Sequence, residues 1–249
     1  MKSGRFWEID SLRGVAIILM IVSNLVTDIA FFGIFEMDAY SGFWLVLARV
    51  VVSMFILLSG VSLTLSYSRV RSRPSHEIRK KYFLRGAKIF GAGMLITLVT
   101  WIFIPGNFVL FGILHLIGFS IILGQFLVRF RLLNLLLGHV LIFAGIFLQT
   151  FSFGFPWLSW LGFMPAGFSS VDYVPVLPWL GVFLIGIYLG NRLYPRGKSG
   201  FRLPDFSSTW LVRSLTFLGR NSLKIYLVHQ PVLIALLWLL FPFPQGLPF

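Results

Sequence analysis

The sequence predicts an all-α, polytopic membrane protein, built as a bundle of about seven transmembrane helices. Composition carries most of that prediction, because 57% of the residues are hydrophobic, 12% are charged, and the mean hydropathy is +0.89. A soluble domain of this length has too little interior to bury so much apolar surface. The charged residues also fall between long apolar runs. We therefore expect a multi-pass protein of the cell membrane, in contact with the lipid bilayer.

Seven apolar runs are long enough to cross a hydrocarbon core of ~30 Å, which takes ~20 residues of helix. They cover residues 11–31, 42–67, 85–105, 110–128, 132–151, 176–194 and 222–241. Residues 155–170 are also apolar, but prolines and glycines interrupt them, so we expect a re-entrant or interfacial segment there. The chain shows no internal repeat and no soluble portion. Residues 1–249 are therefore predicted to form a single transmembrane domain.

The first apolar run could in principle belong to a signal peptide, since Lys2 and Arg5 precede it. It is longer than the apolar part of a signal peptide, follows the acidic residues Glu8 and Asp10, and lacks a small-residue cleavage site. These features favour a transmembrane helix.

The distribution of Lys and Arg predicts the orientation. Four segments hold nearly all of these residues: the N-terminal tail and residues 69–85, 129–131 and 191–220. They alternate with segments that hold none: residues 32–41, 105–109, 151–175 and 242–249. Basic loops are retained in the cytoplasm, so the N-terminus is expected inside and the C-terminus outside. The net charge of +13 follows from these loops, and we expect no nucleic-acid partner.

Several familiar kinds of site are excluded by the sequence. Cysteine is absent, which removes disulfides, thiolate nucleophiles and cysteine metal sites. The chain also lacks a Gly-rich phosphate loop, a G-x-S-x-G nucleophile motif and any His/Glu spacing typical of a metal site. We therefore predict no metal.

Polar residues at membrane depth are the remaining candidates, because a charged residue at a helix centre costs ~2.5 to 3.5 kcal/mol and tends to face a bundle interior. Arg49 lies in the second run and Asp28 near the end of the first, at depths that could meet. An ion pair between them would be either structural or functional. Asn24 lies one helical turn from Asp28 on the same face.

Four stretches resemble one known family. They are EIDSLRGVAIILM at residues 8–20, GILHLIG at 112–118, DYVPVLPW at 172–179 and GRNSLKIYLVHQP at 219–231. In this order they resemble the transmembrane acyltransferase superfamily, and most closely its heparan-alpha-glucosaminide N-acetyltransferase-like branch of bacterial and archaeal membrane proteins.

The resemblance implies transfer of an acetyl group from cytoplasmic acetyl-coenzyme A to an amine or hydroxyl of a sugar or glycan acceptor at the outer face. Basic residues near inner helix ends could bind the coenzyme A phosphates, at ~1 kcal/mol each. Alternatively, they enforce topology and contact lipid head groups. The candidates for cofactor binding are Arg13, Arg85, Lys88, Arg220, Asn221 and His229.

Acyl transfer also needs a base near neutral pKa and a donor for the developing oxyanion. His115 is the candidate base, although a lone membrane histidine commonly makes only a helix–helix hydrogen bond. Asp28 is a candidate orienter or second base, and Asn24 a candidate oxyanion donor or acceptor-positioning residue. The candidate acceptor-binding residues are Arg49, Glu36, Asp38 and Asp172.

The chain departs from the family in two places. Lysosomal-type members carry an essential histidine in the first outer loop, whereas residues 31–41 contain none here. Many bacterial relatives have histidine where this chain has Asn24. These departures favour direct transfer over an acetyl-histidine intermediate, with Glu36 or Asp38 as substitutes, or else indicate a changed activity.

Other classes of function stay open at this point. A bundle with a buried Arg49–Asp28 pair could carry a small anion, although no inverted repeat or mid-membrane helix break supports a transporter. A structural membrane protein or a sensor is a third alternative, and association as a homodimer also stays open.

Overall fold

The computed structural model describes residues 6–201 and 203–241. Lys2, Arg5 and the predicted outer tail at residues 242–249 lie outside the described residues. Within them the chain forms eight α-helices and two short 3-10 turns, Ser159–Leu161 and Pro195–Gly197. The helices are α1 (Trp7–Phe31), α2 (Gly42–Ser68), α3 (Ser75–Phe103), α4 (Ile113–Leu127), α5 (Arg131–Leu148), α6 (Val176–Leu193), α7 (Trp210–Arg220) and α8 (Ser222–Leu240).

The predicted polytopic helical fold is confirmed. Six helices in the described part of the chain are long and apolar enough to cross a membrane: α1, α2, α3, α5, α6 and α8. The remaining predicted span, residues 110–128, corresponds to α4, which has 15 residues. At 1.5 Å per residue α4 is about 22 Å long, less than the ~30 Å of a hydrocarbon core. Most of its residues are buried in protein, so α4 is an interior helix.

Two helices begin earlier than hydropathy predicts. Helix α3 starts at Ser75, ten residues before the apolar run, and so takes up most of the basic loop predicted at 69–85. Lys, Arg and Glu are good helix formers, and Glu77 in the first turn favours the helix dipole. Helix α1 likewise starts at Trp7, with Glu8 and Asp10 in its first turn.

Helix α7 lies inside the predicted basic loop and was not foreseen. The Thr209 hydroxyl caps its N-terminus by accepting the backbone N–H of Val212. Its 11 residues are too few to span a membrane, and its buried positions, Thr216 and Gly219, lie three apart on one face. A short amphipathic helix of this kind has no long apolar run to mark it.

The contacts divide the chain into two units, with the division inside α2 after Phe55. The first unit holds α1, the beginning of α2, α7 and α8. Ile17, Met20 and Val51 form its buried core. Helices α1 and α7 approach closely, because a Cβ at Gly14 would collide with the Leu215 carbonyl and one at Gly219 with the Asp10 carbonyl.

The second unit holds the rest of α2 and helices α3 to α6. Its buried core includes Ile56, Leu116 and Phe183. Glycines line its helix contacts, as at Gly86 against the Gly118 backbone, which allows the close approach typical of membrane helices. The irregular segment after α5 has the short turn at Ser159–Leu161 and one isolated bridge, in keeping with the expected broken structure.

Candidate functional site

An ionic cluster lies where α1 meets the end of α7 in the first unit. The Asp10 carboxylate accepts a hydrogen bond from the Arg220 Nε at 3.2 Å and lies 3.7 Å from the Arg13 guanidinium. Asp10 is 7% exposed, so these partners offset the cost of burying its charge. Two guanidiniums therefore lie beside one carboxylate. We call these three residues the Asp10 cluster.

Asn221 joins this cluster to the last helix. Its backbone N–H bonds the Phe217 and Leu218 carbonyls, and its side-chain amide donates to the Phe217 carbonyl at 2.9 Å. These bonds end α7, and α8 begins at the next residue. The structure therefore brings together three of the predicted cofactor-binding residues, Arg13, Arg220 and Asn221.

A second polar cluster lies between α1 and α8, further along both helices. The Asn24 Nδ2 is 3.0 Å from the His229 Nε2, and the Gln230 Nε2 donates to the Asp28 Oδ1 at 2.5 Å. One turn of α1 thus faces two consecutive residues of α8. We call Asn24, Asp28, His229 and Gln230 the α1–α8 cluster.

The hydrogen bonds of His229 define its tautomer. The Nδ1 atom is 2.6 Å from the Tyr226 carbonyl, which can only accept, so Nδ1 carries the proton. In the neutral ring the Nε2 atom then bears a lone pair, which accepts from the Asn24 amide. A carbonyl that orients a neutral imidazole in this way leaves Nε2 available to take a proton.

Asp28 has an oxygen with no bonding partner. The side chain is 6% exposed, and its Oδ2 makes no hydrogen bond to any described residue. Leaving a buried acceptor unpaired is costly, typically by about 1 to 3 kcal/mol and more for a charged group. A ligand N–H or O–H donor would satisfy it.

The expected ion pair between Arg49 and Asp28 is wrong. Arg49 is exposed on α2, and no ion pair joins it to Asp28 in the described chain, where the carboxylate bonds Gln230 instead. A buried ion pair must overcome the desolvation of two charges, whereas an amide donor brings only one polar group.

His115 lies in the second unit with both ring nitrogens engaged. Its Nδ1 accepts the Gly112 backbone N–H at 3.1 Å, and its Nε2 is 3.3 Å from the Thr97 hydroxyl, which itself donates to the Val109 carbonyl. The neutral ring therefore donates from Nε2 to Thr97. Phe111 stacks on the ring, which is 1% exposed. The arrangement ties α4 to α3.

Most of the chain matches one known protein family. The family described as heparan-alpha-glucosaminide N-acetyltransferase, catalytic, matches residues 5–231, which is most of the chain. The chain belongs to this family. No curated protein and no solved structure matches it. Membership makes the chain a multi-pass membrane acetyltransferase, and both helix pairings described for α1 lie within the matched residues.

Two of the predicted acceptor-binding acids lie between the first two helices. Glu36 and Asp38 are exposed on the connection between α1 and α2. The Ser41 hydroxyl and the Tyr40 N–H both donate to Asp38, and these bonds hold the pKa of Asp38 below its usual range. The stabilised carboxylate is thus a poor base. Contact with an acceptor stays a prediction for both acids.

Asp172 caps the start of α4, where its carboxylate accepts the Ile113 backbone N–H at 3.3 Å. The negative charge complements the helix dipole there. The neighbouring Tyr173 donates its hydroxyl to the Ser159 carbonyl at 2.6 Å, and burial raises the pKa of Tyr173 to about 12. Asp172 therefore has a structural role, and its predicted role in acceptor binding is untested.

The remaining predicted cofactor-binding residues, Arg85 and Lys88, belong to α3 in the second unit. Arg85 is half-buried and Lys88 is exposed, and neither pairs with a carboxylate in the part of the chain that the structure describes. In that same part, no group of three or more His, Asp or Glu residues could hold a metal ion.

Three residues of these clusters carried no predicted role. Gln230 and Asp10 lie inside stretches that resemble the family, next to His229 and close to Arg13, so their position was a usable signal. Thr97 lies in an apolar stretch of α3, and nothing in its local sequence indicates that it bonds His115.

Proposed function

We propose that this acetyltransferase moves the acetyl group of acetyl-coenzyme A to an amine or hydroxyl of a sugar or glycan acceptor, and that transfer takes place at the α1–α8 cluster. The observation that carries the proposal is the unprotonated Nε2 of His229, held beside Asn24 and one turn from the unpaired oxygen of Asp28. The proposed base on α8 and the proposed acceptor-binding carboxylate on α1 thus belong to one cluster.

The proposed step is direct transfer. The acceptor nitrogen or oxygen attacks the thioester carbonyl and forms the new bond to carbon, while His229 Nε2 takes the proton that the acceptor loses. The Asn24 amide, released from the imidazole, donates to the developing oxyanion. The carbon–sulfur bond then breaks, and the protonated His229 returns the proton to the departing thiolate.

Asp28 is proposed to bind the acceptor. Its free oxygen accepts an N–H or O–H of the acceptor, and Gln230 holds the other oxygen so that the carboxylate keeps its orientation. A positioned acceptor is a large part of catalysis, because orientation replaces a bimolecular encounter.

The Asp10 cluster is proposed to bind the phosphates of coenzyme A. Arg13 and Arg220 place two guanidiniums together at one carboxylate, and guanidiniums suit bidentate phosphate contacts. With the N-terminus in the cytoplasm, as the basic loops predict, this end of α1 faces the cytoplasmic cofactor pool. Arg85 and Lys88 stay predictions for the same ligand.

The choice of base follows from the hydrogen bonds. To take a proton at Nδ1, His115 would have to lose the backbone N–H of Gly112, which is fixed at the start of α4, whereas His229 has only to release the Asn24 side-chain amide, which can rotate away. We therefore favour His229, and the role of His115 stays a prediction that substitution tests. The anion-carrier alternative loses its basis, because Arg49 is exposed and unpaired with Asp28.

Ligand-dependent melting tests the donor. A ligand that binds the folded state alone raises the melting temperature, so acetyl-coenzyme A should stabilise the purified protein. Arg220→Gln should weaken this shift, and Arg213→Gln, an exposed arginine of the same helix, should leave it unchanged. Absence of any shift at millimolar acetyl-coenzyme A would overturn the proposed donor.

A further inference from the structure

A cluster of aromatic, hydroxyl and basic side chains lies at helix ends in the second unit, outside the proposed transfer site. The rings of Tyr67 and Tyr82 stack with centroids 6.3 Å apart and planes 27° apart. The Ser66 hydroxyl accepts the Tyr82 hydroxyl at 3.0 Å and the Lys81 ammonium at 3.5 Å. The end of α2 is thereby fixed to the beginning of α3.

Two cations are held against these rings. The Arg129 Nε donates to the Tyr67 hydroxyl at 2.5 Å, and the guanidinium lies 5.6 Å from the centroid of that ring. The Lys81 ammonium lies 5.2 Å from the centroid of the Tyr82 ring. Because the two rings stack, both cations occupy one small region. We call Ser66, Tyr67, Lys81, Tyr82 and Arg129 the tyrosine cluster.

Basic residues outnumber acidic residues in the second unit, to which this cluster belongs. Residues 56–201 contain 13 Lys and Arg but only two acids. One acid, Glu77, pairs with Arg73 at 3.9 Å, and the other, Asp172, caps the far end of α4. Arg69, Arg73 and Arg85 also lie near enough to act on the charge of Lys81. Like charges this close repel, and a bound anion would relieve the repulsion.

The surroundings indicate an amphiphilic anion. Phe83 and Leu84 follow Tyr82 in α3 and are exposed, and so are Phe126 and Phe130 on either side of Arg129. A hydrocarbon chain could cover such side chains while an anionic group lies among the cations. Tyrosine itself is typical of the level of lipid head groups.

We infer that the tyrosine cluster binds the phosphate of an anionic phospholipid head group. Arg129 uses only Nε toward Tyr67, so its two terminal NH2 groups can donate to phosphate oxygens, and the Lys81 ammonium has further N–H donors beyond the one toward Ser66. This inference goes beyond acetyl transfer and does not depend on it.

Native mass spectrometry of the detergent-purified protein tests the inference. We expect phosphatidylglycerol to be retained more strongly than phosphatidylcholine with the same acyl chains. Each basic residue contributes about 1 kcal/mol to the binding of an anionic lipid, and about 1.4 kcal/mol changes a dissociation constant tenfold. In Lys81→Gln/Arg129→Gln the dissociation constant for phosphatidylglycerol should therefore rise about 30-fold. Tyr67→Phe, which removes only the hydroxyl that positions Arg129, should also weaken retention if the double variant misfolds.

The matched control is Arg213→Gln/Lys224→Gln, which removes the same charge at exposed positions of the first unit and should retain phosphatidylglycerol as the unaltered protein does. Equal losses in the two double variants, or equal retention of the two lipids, would overturn the inference. If equimolar coenzyme A displaces phosphatidylglycerol from the unaltered protein but not from Lys81→Gln/Arg129→Gln, the cluster would instead be assigned to a soluble phosphate compound.

Discussion

His229 differs from the other membrane histidines in what its ring nitrogens contact. His115 uses both nitrogens to bridge α3 and α4. His139 is exposed, and its Nδ1 bonds the Leu135 carbonyl of its own helix at 2.8 Å. Only His229, among these three, combines a carbonyl at Nδ1 with an amide donor at Nε2. Our proposal that His229 is the base depends on this difference between chemically identical side chains.

Substitution of the two buried histidines separates their roles. His229→Gln should lower the transfer rate about 10²- to 10⁴-fold, the usual contribution of a general base, while the melting shift with acetyl-coenzyme A persists. His115→Gln should lower the melting temperature and leave a measurable rate. Rates from acetyl-coenzyme A consumption and melting curves check both expectations. A rate lost in His115→Gln and kept in His229→Gln would assign the base to His115.

Asp28→Asn should act on acceptor binding. The substitution keeps the size of the side chain but removes its charge and one acceptor oxygen, so the acceptor KM should rise while coenzyme A binding is unchanged. Steady-state kinetics at varied acceptor concentration measures this. Asp205→Asn, at an exposed acid on the connection before α7, is the control and should be neutral. An unchanged KM in Asp28→Asn would remove Asp28 from the proposed site.

At the scale of elements, the contact of α1 with α7 depends on two glycines. Gly14→Leu would place side-chain atoms where the Leu215 carbonyl lies, and forced overpacking typically costs about 1 to 3 kcal/mol. We expect a lower melting temperature, measured by circular dichroism in detergent. Gly91→Leu is the matched control, because a Cβ at Gly91 of α3 meets nothing within 4 Å. Equal effects of the two substitutions would contradict close packing at Gly14.

Hydropathy alone predicts the long apolar helices, but it does not predict the charged helical segments. Helices such as α5 and α8 follow from apolar runs, because length in a membrane is fixed by bilayer thickness. The first ten residues of α3 and all of α7 lack such a run. Their helical state depends on local features, Glu77 in the first turn of α3 and the Thr209 cap of α7, and on packing. Packing acts through residues distant in sequence.

The same limit applies to the site. The i, i+4 spacing put Asn24 and Asp28 on one face, as the structure has them. Their partners His229 and Gln230 are more than 200 residues away, so no local pattern could pair them. Arg49 was matched to Asp28 by charge and by depth in the membrane, and neither says which face of α2 a side chain occupies.

At the scale of the whole molecule, the chain has no cysteine, so single cysteines report topology directly. Both Glu36 and Arg73 are exposed. In intact cells Glu36→Cys should react with a membrane-impermeant maleimide, and Arg73→Cys should react only after the cells are lysed. Gel mobility after labelling measures the modification. Labelling of Arg73→Cys alone in intact cells would reverse the proposed orientation.

The two polar clusters on α1 set a length for the donor. Arg13 and Asn24 are eleven residues apart in one uninterrupted helix, about 16 to 17 Å at 1.5 Å per residue. If the anionic end of the donor binds at Arg13 and its carbonyl reacts beside Asn24, the donor must span this distance along α1. Only an acetyl carrier with a long linker between its phosphates and its thioester can do so. Acetyl phosphate, whose phosphorus and acetyl carbon share one oxygen, is too short, and we expect it to give no product in the same assay.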